Sequence, residues 1–95
     1  MTETVKAGDN LFLALGFPPH EAAILQLRSD LMVRLGQWIR DNGMTQAEAT
    51  LRLGVSPARV SDLARGKWQK FSLDMLLTLA GKAGIGFRLE LERAA

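Results

Sequence analysis

The stretch from Thr45 to Lys67, TQAEATLRLGVSPARVSDLARGK, constrains this chain more than any other. Thr45 and Glu48 have the spacing of a capping box, in which the hydroxyl accepts the N3 amide and the carboxylate reaches back to the cap amide. Gly54 supplies a left-handed residue on which a first helix stops within one step. Ser56-Pro57 restarts the chain, with Ser as N-cap and Pro at N1, where its missing N–H costs nothing. Val55 and Val60 bracket that cap at the spacing of a hydrophobic staple. The stretch therefore reads as two short helices joined by a turn of about three residues, the second presented outward. That is the geometry of a helix-turn-helix, whose second helix enters the DNA major groove.

The remaining composition bounds what can surround this unit. At 95 residues the chain is one domain, with a modest core and near the size where oligomerisation helps stability. No Cys is present, which excludes disulfides and thiolate metal sites and fits a reducing, cytoplasmic location. The N-terminal MTETVKAGDN lacks the basic and apolar regions of a signal peptide, and no apolar run approaches the roughly 18–20 residues of a membrane span. The net charge of +2 is small, but its distribution is uneven. Residues 43–70 carry Arg52, Arg59, Arg65, Lys67 and Lys70 against only Glu48 and Asp62. The positive excess thus falls on the candidate motif, where a phosphate-binding surface needs it, although a solvated basic face has the same pattern.

Around the motif, residues 1–10 read as a mobile lead-in, and Asn10 to Gly16 as a short apolar run, either helical turns or a strand. From Pro19 to Asn42 a long helix is expected, with Ile24, Leu27, Leu31, Leu35, Trp38 and Ile39 on its apolar face and Arg28, Asp30, Arg34, Gln37 and Arg40 opposite. Glu48 and Arg52 form a favourable i,i+4 pair, and Leu51 falls on the exposed side. Trp68 is expected to plug the core between helices rather than stack on DNA. Phe71, Ser72 and Leu76 repeat the staple and cap for another helix, with Leu73, Leu76, Leu77, Leu79 and Ala80 facing the core and a stop at Ala83-Gly84. His20 stands alone as a potential ligand, and no metal or other cofactor is expected. Enzymatic chemistry has no support either: there is no Cys or Tyr, and Ser61 and Asp62 have no base beside them.

After Gly84 the period changes. Ile85, Phe87, Leu89 and Leu91 alternate with Gly86, Arg88, Glu90 and Glu92, the two-residue repeat of a half-buried strand. A single strand needs a mate. Leu11 to Leu15 is one candidate, but the economical solution is the same strand of a second copy in a two-fold dimer. A frayed helical extension competes with it. The expected organisation is a lead-in over 1–18, a helix-turn-helix domain over 19–84 and a dimerising strand over 85–95. The fold class is an all-α bundle of about five helices with a short C-terminal strand.

Thr45-Gln46-Ala47-Glu48-Ala49, Leu53-Gly54-Val55-Ser56, Arg59-Val60-Ser61-Asp62-Leu63 and Arg65-Gly66-Lys67 closely resemble the Xre-type, lambda-repressor-like helix-turn-helix family. The lead-in Asn10-Leu11-Phe12 and Leu15-Gly16-Phe17, and the run Phe71-Ser72-Leu73-Asp74, look like its branch of small HigA-like antitoxins and regulators. The resemblance spans about residues 10–90. It implies a homodimer that binds an inverted repeat in double-stranded DNA, often in its own promoter, as a transcriptional repressor. By position, Gln46 would contact a phosphate or a base next to it, with Thr45 beside it. Ser56, Pro57, Ala58, Arg59, Ser61 and Asp62 would face the groove, and Arg65 and Lys67 the backbone beyond it.

Two positions depart from the pattern. Pro57-Ala58 stands where a base-reading Gln is common, which leaves Arg59 as the main specific reader, either bidentate to guanine or tied to Asp62. Thr50 replaces a small Ala where the two helices touch, and its hydroxyl can bond back to its own helix. The alternative implied function is an antitoxin that neutralises a small toxin protein by direct binding, through its first 28 residues or its terminal strand.

Overall fold

The helix boundaries are set by caps that the sequence encodes. Thr45, Ser56 and Ser72 each accept the amide three residues ahead, from Glu48 at 3.1 Å, Arg59 at 3.2 Å and Met75 at 3.1 Å. A computed structural model of the chain describes the backbone of residues 2–7 and 11–91 and the side chains of residues 12–88. In chain order it contains β1 (Thr2–Ala7), α1 (Leu11–Ala14), α2 (Pro19–Asp41), α3 (Gln46–Leu53), α4 (Pro57–Ala64), a 3-10 turn (Trp68–Lys70), α5 (Leu73–Lys82) and β2 (Gly86–Leu91). The expected helical bundle is thus present. Asn10, at the head of the short apolar run, and Glu92, the last residue of the alternating repeat, lie outside the described residues.

The helix α2 is the axis of the bundle. Its Leu31, Met32, Leu35 and Trp38 meet Leu53 of α3, Leu63 of α4, Phe71, and Leu76, Leu79 and Ala80 of α5 in one core, closed by Ile85 before β2. Burying a Leu or Phe of this kind stabilises by about 1.5–3 kcal/mol, so this cluster dominates the stability of the domain. The apolar face of α2 is narrower than its periodicity predicts. Ile24 is 45% exposed, and Leu27 is only half-buried. α4 and α5 cover α2 from the core side, and α1, β1 and the 3-10 turn also pack against it. Trp68 packs as expected, edge-on against Phe12 with ring centroids 5.8 Å apart.

The strands correct two expectations. Thr2–Ala7 is β1, not a lead-in, and it pairs in parallel with β2, with Thr2 opposite Gly86 and Ala7 opposite Leu91. The mate of β2 is therefore the chain's own N-terminal segment, not a second copy, and Leu11 to Leu15 falls instead on α1 and the turn after it. Parallel strands need a crossover connection; here the helical bundle, α1 to α5, lies within that crossover. β1 gave no periodic signal because Glu3 and Lys6 interrupt its β-branched Thr2, Thr4 and Val5. On β2, Phe87 stays 40% exposed, so the alternation does not mark a fully covered face.

Candidate nucleic-acid interface

Two helices and their turn build the candidate surface. α3 stops because Gly54 takes a left-handed conformation, φ 69°, with its amide donating to Thr50 O at 2.8 Å. α4 stops at Gly66, φ 70°, where Lys67 N donates to Asp62 O at 3.0 Å and Gly66 N to Leu63 O at 3.1 Å. This is a Schellman closure, which satisfies carbonyls that a helix end otherwise leaves open. Between these stops, α4 buries Val60 and Leu63, while Ala58, Ser61, Asp62 and Arg65 recur at three- and four-residue steps on the other side.

The predicted residues divide by their surroundings. Thr45, Gln46, Ser56, Pro57, Ala58 and Arg65 are exposed, and Ser61, Asp62, Arg59 and Lys67 are half-covered. Gln46 Nε2 donates to Pro57 O at 2.8 Å, which ties the N-terminal ends of α3 and α4 together. Thr45 Oγ1, besides its cap bond, donates to the Glu48 carboxylate at 3.2 Å. Arg52, expected beside Glu48, lies with its guanidinium 5.4 Å from the centre of the Trp38 ring.

Arg59 and Asp62 are placed differently from the predicted intrahelical pair. Arg59 Nη1 donates to Lys70 O at 2.7 Å, and the guanidinium stands 5.4 Å from the Phe71 ring centre. Asp62 Oδ2 lies 3.7 Å from Lys70 Nζ instead. Both side chains of α4 therefore reach the same residue of the 3-10 turn, one to its carbonyl and one to its ammonium.

Sequence reasoning missed Arg28. The helical period places it on the solvent side of α2, yet its Nε donates to Phe71 O at 2.9 Å and its Nη2 to Trp68 O at 3.1 Å, with the guanidinium 5.2 Å from the Trp68 ring centre. Nothing in the local pattern of α2 marks it, because its partners lie 40 or more residues ahead. Thr50 does not use the bond back to its helix that its hydroxyl could make: its Oγ1 is buried with no hydrogen-bond partner among the described residues. Among those residues there is no His, Cys, Asp and Glu cluster that would hold a metal, and no helix is long and apolar enough to cross a membrane.

No curated protein matches the chain. Residues 15–92, which run from the end of α1 to just past β2, match the family described as "Helix-turn-helix domain". With caps, turn and outward helix all in place, the chain belongs to this helix-turn-helix family, and is in general terms a DNA-binding regulator.

Proposed function

We propose that the protein is a sequence-specific transcriptional repressor of the Xre type that binds an inverted repeat as a homodimer, autoregulating its own promoter. The observation that carries this reading is the outward face of α4, with exposed Ser56, Pro57, Ala58 and Arg65 and with Val60 and Leu63 turned into the core. Laid in the major groove, this face presents few hydrogen-bonding groups to bases, so specificity rests on Arg59 and affinity on the basic side chains around it. Thr45 and Gln46 stand at one phosphate strand and Lys67 at the other. Two copies would read half-sites roughly 34 Å apart, one helical turn of DNA. The outer edges of β1 and β2, each paired on one side only, give a second copy a place to join. Selecting bound fragments from random duplex DNA with the purified protein tests the reading. A recovered palindrome is the expected result, and failure to enrich any palindrome would count against repression.

A second reading, neutralisation of a small toxin, is favoured by one specific feature. Leu13, Leu15, Phe17 and Ile24, at the N-terminal end of the bundle, are large apolar side chains left exposed, Leu15 by 64%. The two roles are compatible on one chain. A toxin-like reading frame beside the gene, whose product co-purifies with the protein and is released by Leu15→Asp, would establish it.

A further inference from the structure

Beside the outward face of α4 lies a half-open groove of about 200 Å³, lined on the α2 side by Met32, Val33, Gly36 and Arg40 and on the α4 side by Leu63 to Gly66. Its lining holds two cations, Arg40 and Arg65, and no acidic residue. Neither guanidinium has an ion-pair or hydrogen-bond partner among the described residues. Arg65 shares its face of α4 with Ala58, Ser61 and Asp62, so the groove adjoins the surface turned to DNA. The Arg40 guanidinium lies back along its own helix beside the groove, with Nη1 3.4 Å from where a Cβ at Gly36 would stand.

We propose that Arg40 and Arg65 together form a seat for one phosphate of the DNA backbone flanking the major groove. The inference rests on the DNA-binding reading and adds Arg40 to it. A planar, always-charged fork on each side suits a tetrahedral anion, which each guanidinium can engage through two N–H groups. The seat would fix how far α2 stands from the DNA strand and so set the docking angle of α4.

The test measures binding of the full chain to a mixed-sequence double-stranded oligonucleotide over a salt series, with wild type, Arg40→Gln, Arg65→Gln and the double variant. Each phosphate contact contributes about 0.9 to the slope of log K against log salt. Arg40→Gln is expected to weaken binding, and the double variant to lose about one contact's worth of slope rather than two, because both residues hold the same phosphate. Arg40→Lys is expected to keep the slope while losing part of the affinity, since the charge remains and the fork does not. An unchanged affinity in Arg40→Gln, or two independent contacts in the double variant, overturns the seat while leaving DNA binding intact. Wild-type protein that binds no duplex at all overturns the DNA reading and this inference with it. Unaltered thermal unfolding of each variant verifies that the fold is retained.

Discussion

The Arg59 guanidinium donates to the Lys70 carbonyl at 2.7 Å while resting against the Phe71 ring. The residue best suited to read a base is therefore occupied in the DNA-free chain, bracing the 3-10 turn. Arg28 grips the same turn from α2, so two arginines on different helices satisfy the carbonyls of Trp68, Lys70 and Phe71. The turn and α4 form one unit, and its geometry passes through the two side chains. A guanine contact requires Arg59 to leave Lys70 O, exchanging one charge-assisted bond for two.

Arg59→Ala separates its two roles. If Arg59 reads a guanine, the variant loses about 1–3 kcal/mol at the cognate site and much less at a site already changed at that base pair. If it only braces the turn, weakening is uniform across sites. Titrating wild type and variant against a selected operator and its single-base-pair substitutions decides between them, and uniform weakening would sink the base-reading role.

Arg28→Met keeps much of the aliphatic stem and removes the donors. Hydrogen bonds to charged groups contribute about 1.5–3 kcal/mol each when well made, and the partial exposure of Arg28 pulls its sum toward the low end. A total loss of about 1–3 kcal/mol is expected, a drop in Tm of several degrees for a domain of this size. Thermal unfolding followed by circular dichroism checks it, with Arg65→Met, an exposed side chain, as the variant expected to leave Tm unchanged.

Most of the bundle was legible because its signals are local. A Ser or Thr cap, a Pro at N1 and a Gly at the stop act within four residues, and each of those at α3, α4 and α5 stands where the sequence placed it. What escaped is non-local. The pairing of β1 with β2 joins residues more than 80 apart, and β1 carries too much charge to show an alternating face. The engagement of Arg28 with Phe71 and the capture of Asp62 by Lys70 depend on where a turn lands after folding. In the candidate interface the same division holds: the outward placement of Ser56 to Ala58 is what the family resemblance implies, while the resting contacts of Arg59 depend on where the 3-10 turn lands.

Thr50 offers a stability test of the motif itself. A buried hydroxyl without a partner costs about 1–3 kcal/mol relative to one that is hydrogen-bonded. Thr50→Val keeps the branched shape and replaces the hydroxyl by a methyl, and is expected to raise stability by up to about 1 kcal/mol. Urea unfolding should show a higher midpoint at constant slope. A lower midpoint would mean that the hydroxyl is satisfied in solution.

Lys67 is held at the Schellman closure by its backbone, its amide bonded to Asp62 O, so its side chain is free to act through charge alone. Lys67→Ala is expected to flatten the salt dependence of DNA binding by about one contact and to weaken all sequences alike. Thermal stability should not move. An unchanged salt slope would remove Lys67 from the interface.

Gln46 joins the two motif helices and stands at the expected phosphate position, so its substitution tests whether those functions are coupled. Its amide donates to Pro57 O at 2.8 Å at an exposed site, a bond contributing about 0.5–1.5 kcal/mol. Gln46→Glu preserves shape but exchanges the donor for a carboxylate oxygen, which faces the Pro57 carbonyl and repels a nearby phosphate. The carboxylate also gains from the α3 N-terminus, about 0.3–1 kcal/mol, so the net change in stability should be small. DNA affinity should fall well beyond it, and more steeply at low salt, where repulsion is least screened. Gln46→Ala, which lacks the repulsion, should fall between wild type and Gln46→Glu. If both substitutions reduce affinity only in proportion to stability, Gln46 tethers α4 and does not meet DNA.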